Sequence, residues 1–187
     1  MSSPKIVKTD SQQSERSRAG VALYQVIDFT RKSRWTDLQL KVEGKDLYVP
    51  KSHLALVSPV FQLMFESDFK EKSLDVLPLP GKKYEDVLTF LKCTHPGALV
   101  KVTYDIVLKV LPLAHEYQVQ WLLDDCTNVM NMELVASKSS YPYVYNTSAA
   151  ATLCCNVCIM AETYGLRSVI SNVIERLSSV SYNVYKN

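Results

Sequence analysis

Residues 49–66, VPKSHLALVSPVFQLMFE, join a short strand to two short helices. Pro50 closes the strand, because proline fixes φ and has no N–H to continue a ladder. Ser52 to Val57 is apolar and brief enough for one helix. Ser58 followed by Pro59 then marks the start of another, with a hydroxyl to cap free amides and a proline preset for the first turn. Phe61, Met64 and Phe65 fall on one side of that second helix, which ends near Glu66.

Upstream, Leu38, Leu40 and Val42 alternate with polar residues, Glu43-Gly44-Lys45 forms a turn, and a second run follows from Asp46 to Val49. This pattern predicts a β-hairpin. Val21, Leu23, Tyr24 and Ile27 follow helical spacing and predict a helix over 20–33, although the β-branched content leaves an extended reading open. Residues 1–20 are rich in Ser, Gln and charge, lack an apolar period and are expected to be disordered.

Downstream, Leu74 to Leu79 reads as an extended segment held to a sheet margin by Pro78 and Pro80. Tyr84, Val87, Leu88 and Leu91 predict an amphipathic helix over Lys82 to Cys93, stopped by His95-Pro96-Gly97. A further helix starts at Thr103, with a kink or interruption expected at Pro112. The next, from Gln120 to Met132, uses Trp121, Leu122, Val129 and Met130. Ser137 to Ala151 mixes serine, tyrosine and proline without period and reads as a linker, and Thr152 to Val180 is again helical, broken around Gly165.

LAHEYQVQWLLDDC (113–126) also lines up with MAETYGLRSVISNV (160–173) at an offset of 47, matching Ala114 with Ala161 and Tyr117 with Tyr164. Two copies do not make a solenoid. They read as two helical hairpins in which a small alanine permits close packing.

Composition narrows the function. A chain of 187 residues with 47% hydrophobic and 21% charged residues can bury one good core. No apolar run approaches the ~18 residues of a membrane span, and the polar N-terminus has no signal-peptide core. The net charge of +2 comes from the first twenty residues; the remainder balances 17 basic against 17 acidic groups, a poor design for holding phosphates. Neither nucleic acid nor membrane is therefore expected as a ligand. Cys93, Cys126, Cys154, Cys155 and Cys158 are an odd set suited to a reducing compartment, and a cytoplasmic or nuclear location is expected.

Catalytic signatures are lacking. His53, His95 and His115 are scattered, and the five glycines form no phosphate loop. Cys155 and Cys158 have zinc-like spacing, but a structural site needs four ligands and no second pair accompanies them. No enzyme activity, cofactor or metal is expected, and Cys154, Cys155 and Cys158 read as a packed helix face.

In its order of hairpin, two short helices, edge strand, helix and helical hairpin, with RWTDLQL (34–40), HLALVSPVFQLMF (53–65) and the spacing of Leu122, Leu123 and Cys126, the chain resembles the BTB/POZ domain over about 34–133. It is similar to stand-alone and MATH-containing members. The resemblance implies an α+β fold with a small β-sheet and a cluster of α-helices, spanning 21–136 with its N-terminal helix. A linker over 137–151 and a BACK-like helical extension over 152–187 would follow. Two departures stand out: Pro50-Lys51 where many members have His-Lys or His-Arg, and Thr94-His95-Pro96-Gly97 in place of a Tyr-Thr-Gly loop.

The same resemblance implies a protein-interaction adaptor. Many similar proteins self-associate as homodimers and recruit cullin-3 ubiquitin ligases through an apolar residue, any residue, then Glu. Here these would be Met64, Phe65 and Glu66, with Tyr117 nearby. Leu23, Tyr24, Ile27 and Asp37 would serve the dimer interface. The substrate protein is not identified by the sequence. The alternative is a self-assembling scaffold, or a transcription-linked BTB protein, without ligase function.

Overall fold

The computed structural model describes residues 27–66, 75–98, 100–139 and 147–184, without side-chain detail for 137–139, 147–151 and 179–184. Strands β1 (Leu38–Val42) and β2 (Lys45–Val49) form an antiparallel hairpin with Leu38 opposite Val49 and Val42 opposite Lys45. Glu43 and Gly44 both take positive φ, 50° and 76°, the two-residue turn whose twist matches the strands it joins. Leu38, Leu40, Val42, Leu47 and Val49 are buried.

Helices α1 (Lys51–Val57) and α2 (Pro59–Glu66) follow, and then β3 (Val76–Pro78) pairs parallel with β1 to give the order β2-β1-β3. Pro78 is tolerated because β3 is an edge strand. Its neighbours make the bonds to β1, with the Asp75 carbonyl accepting from the Gln39 amide at 2.8 Å and the Leu79 amide donating to the Lys41 carbonyl at 2.9 Å.

The helical layer comprises α3 (Tyr84–Thr94), α4 (Tyr104–Glu116), α5 (Gln120–Ser139), α6 (Thr147–Thr163) and α7 (Arg167–Val184). The start of α3 has no local cap. Glu43, in the hairpin turn, supplies one by accepting from the Tyr84 amide at 2.9 Å. The helix α4 continues through Pro112, so the proline does not interrupt it. In α5 the buried stripe is Leu122, Cys126, Met130 and Leu134, and Trp121, expected on that face, is 43% exposed.

The helix expected over 20–33 is not found in its described part. Residues 27–33 form a turn and irregular backbone, because Phe29 inserts fully into the core and its carbonyl accepts from the Tyr48 amide of β2 at 2.7 Å. Helix geometry would have turned both toward the chain's own ladder. The earlier part of that expected helix, with Leu23 and Tyr24, lies outside the described residues. The linker is also shorter than expected: 137–139 belong to α5 and 147–151 to α6.

The offset of 47 has a physical basis. At the end of α4 the Val119 amide donates to the Ala114 carbonyl at 2.8 Å and the Gln118 amide to the His115 carbonyl at 3.2 Å. At the end of α6 the Leu166 amide donates to Ala161 at 2.7 Å and the Gly165 amide to Glu162 at 3.3 Å. Gln118 and Gly165 hold φ of 53° and 68°. Both ends are Schellman caps, and the two matched alanines are fully buried beneath them.

Val157, Ala161, Val169 and Val173 are buried, and the Asn172 side chain donates to Asn131 of α5 at 2.8 Å. The C-terminal helix pair thus packs on α5. Among the described residues no helix is long and apolar enough to cross a membrane.

Candidate functional site

Ser58 is fully buried and organises the segment that presents Met64, Phe65 and Glu66. Its amide donates to the Leu54 carbonyl at 3.0 Å, closing α1, and its carbonyl accepts from the Gln62 amide at 2.9 Å. Its hydroxyl accepts from the Phe61 amide at 3.1 Å, capping α2, and donates to the Tyr117 carbonyl at 2.6 Å. Every polar atom of a buried serine is therefore satisfied, and α2 is pinned to the end of α4.

Phe61 anchors the buried side of α2. Its ring stacks on Tyr117 at 4.4 Å and on Phe65 at 5.9 Å. On the outer side, Leu63 is 64% exposed and Glu66 is exposed, while Met64 and Phe65 are half-buried against the core. Both carboxylate oxygens of Glu66 accept from the Gln62 amide nitrogen at 3.2 Å. The arrangement offers a rigid ridge with a leucine, the edge of a methionine and a carboxylate, suited to an apolar groove with a polar rim.

Tyr117 does not belong to this surface. It is 6% exposed, wedged between Phe61 and Phe90, and burial pushes its hydroxyl well above the usual tyrosine range. Its contribution to α2 comes from the backbone, through the carbonyl that Ser58 binds. The apolar group that sequence reasoning passed over is Leu63, together with Leu56 of α1, 85% exposed. Both sit off the periodic stripe of their helices, the one signal that distinguishes an outward leucine from a core one.

The dimer candidates within the described residues make contacts inside their own chain. Ile27 is half-buried against the core. Asp37 is exposed and accepts from the Lys51 amide at 2.6 Å, capping α1 across the hairpin.

The thiols are poor nucleophiles where they are buried. Burial pushes Cys126 up to about 12 and Cys93 up to about 11, and raises Cys154 as well. Cys154 is buried, Cys158 half-buried and Cys155 exposed. Among the described residues no three His, Cys, Asp or Glu groups come together to hold a metal ion.

The BTB/POZ domain family model matches residues 27–134. BTB and MATH domain-containing protein 38 of Caenorhabditis elegans is 33% identical over 90 residues, 48% of this chain and 23% of that protein. BTB and MATH domain-containing protein 36 of the same organism is 25% identical over 126 residues, 66% of this chain and 39% of that protein. The BTB domain of human Gigaxonin superposes with a TM-score of 0.44 at 18% identity, covering 68% of this chain and 98% of that one. The chain spans less than half the length of the curated relatives it matches.

Proposed function

Because this chain belongs to the BTB/POZ family, a protein-interaction module, we propose that it is a non-enzymatic adaptor that self-associates and recruits a cullin-3 ubiquitin ligase. The observation that carries the reading is the C-terminal part of α2, where the exposed Leu63 and Glu66 flank the half-buried Met64 on a helix fixed at its start by Ser58. An anchored helix loses little freedom on binding, so contacts made by its outer residues are converted efficiently into affinity. The proposed setting is the cytoplasm or nucleus, and the substrate protein is left open.

The test is calorimetry with the purified N-terminal region of cullin-3. Replacing Met64 by Asp is expected to cost about 2 kcal/mol or more, the scale of an interface hot spot, with circular dichroism confirming the fold. The same order of apolar, any and Glu recurs at Phe69, Lys70 and Glu71, outside the described residues. A parallel Phe69→Asp and Glu71→Lys variant therefore serves as the control. Loss only in that control moves the contact off α2. No binding by the unaltered chain refutes the ligase reading and leaves the self-assembling scaffold.

A further inference from the structure

His53, on α1, and His95, just past the end of α3, lie with ring centroids 4.7 Å apart and planes tilted by 42° beneath the N-terminal arm. Phe29 of the arm meets His95 edge-on at 5.8 Å, and Ile27 closes over the turn at Gly97. Each ring has one nitrogen whose proton is dictated by its partner. The Thr94 hydroxyl donates to the Leu91 carbonyl at 3.1 Å, so it accepts from His53 Nε2–H at 3.3 Å. The Gly97 amide donates to His95 Nδ1 at 3.0 Å, so that nitrogen carries no proton.

We propose that the His53–His95 pair is a pH-operated latch, holding the arm at residues 27–29 against the domain while both rings are neutral and releasing it when they are protonated. A proton on His95 Nδ1 sets two donors against each other at Gly97 and opens the turn on which Ile27 rests. A proton on either ring also places a cation 4.7 Å from the other imidazole.

Among the described residues no neighbouring group offsets that charge. In the arm, the Asp28 carboxylate is held by the Thr30 amide at 2.9 Å, the Thr30 hydroxyl at 2.6 Å and Arg31 at 3.5 Å. Asp37, ahead of α1, is bound to the Lys51 amide, and Lys92 on α3 and Lys51 on α1 are cationic. The Cys93 thiol, pushed up to about 11, stays neutral over this range. Among the described residues no carboxylate bonds either ring.

The sign follows from burial, which lowers His53 from 6.5 to about 4, the charge on His95 adding to the effect, and lowers His95 also. The closed latch is fully favoured above the unfolded value and is lost as pH falls from about 6.5 toward about 4. For His53 alone the full shift amounts to about 30-fold at pH 5, and on the order of tenfold once solvent around the half-exposed ring is allowed for.

The readout is hydrogen exchange at the Tyr48 amide, which donates to the Phe29 carbonyl. Measured on the full chain and corrected for intrinsic rates, its protection is expected to fall on the order of tenfold between about pH 7.5 and about pH 5. A His53→Gln, His95→Asn double variant keeps a donor toward Thr94 and an acceptor toward Gly97 but cannot titrate, and its profile should be flat. Unchanged protection in the unaltered chain, or an equal fall in the double variant, overturns the latch. The probe lies within one chain and away from α2, so it is read independently of cullin binding.

Discussion

Replacing Ser58 by Ala removes one oxygen from a site that holds α1, α2 and α4 together. The alanine nearly fills the same volume, so the cavity contribution is small and the hydrogen bonds dominate. The Phe61 amide loses its cap, typically worth about 1 kcal/mol. The Tyr117 carbonyl, deprived of its 2.6 Å donor in a buried setting, costs a further 1–3 kcal/mol or so. A total near 3 kcal/mol is expected, which at about 2–4 °C per kcal/mol for a chain of this size lowers Tm by roughly 6–12 °C. Urea unfolding followed by circular dichroism gives the free energy, and the thermal scan gives Tm. A loss below about 1 kcal/mol at an unchanged denaturant slope would show that neither bond contributes as reasoned.

The two Schellman caps should respond in opposite directions. Gln118→Gly relieves a side chain at φ 53° and is expected to stabilise by about 0.5–1 kcal/mol, whereas Gly165→Ala at φ 68° should destabilise by about 1 kcal/mol; equal signs in chemical unfolding would contradict the assignment. In thiol titration of the native chain near neutral pH, Cys155 should react first and Cys126 and Cys93 only on unfolding, so rapid reaction of all five would refute the buried placements. Amides around Val157, Ala161, Val169 and Val173 should be protected in hydrogen exchange. Exchange as fast as that of a free peptide would mean that α6 and α7 do not dock.

What was legible in the sequence was mostly local. The alternation Leu38, Leu40, Val42 and the Glu43-Gly44 turn specify the hairpin because side-chain period and left-handed backbone are properties of a few adjacent residues. Ser58-Pro59 announces α2 for the same reason. The misread elements are those decided by distant partners. The arm at 27–33 has helical spacing, yet Phe29 finds a core position and a β2 amide. Tyr117, which the family resemblance put near the partner contact, is enclosed by two phenylalanines. Leu63 differs from Phe61 and Met64 only in sitting off the periodic stripe, a weak signal in a helix as short as α2, because which face is buried depends on what it packs against.

The repeated cap explains how the C-terminal helices bear on α2. Tyr117 lies at the end of α4, one residue before the left-handed Gln118, and the chain reverses there into α5. The carbonyl at that reversal is the one Ser58 grips. The same helix α5 carries Asn131, which receives the Asn172 side chain of α7, and its buried stripe continues to Leu134 alongside the docked pair. Packing of α6 and α7 thus stabilises α5, α5 fixes the angle of the reversal, and the reversal fixes the carbonyl that orients α2. Shortening the chain after Val135 is therefore expected to weaken any partner held by Leu63, Met64 and Glu66, even where that partner touches nothing beyond α2, because the support reaches the site through the backbone at Tyr117.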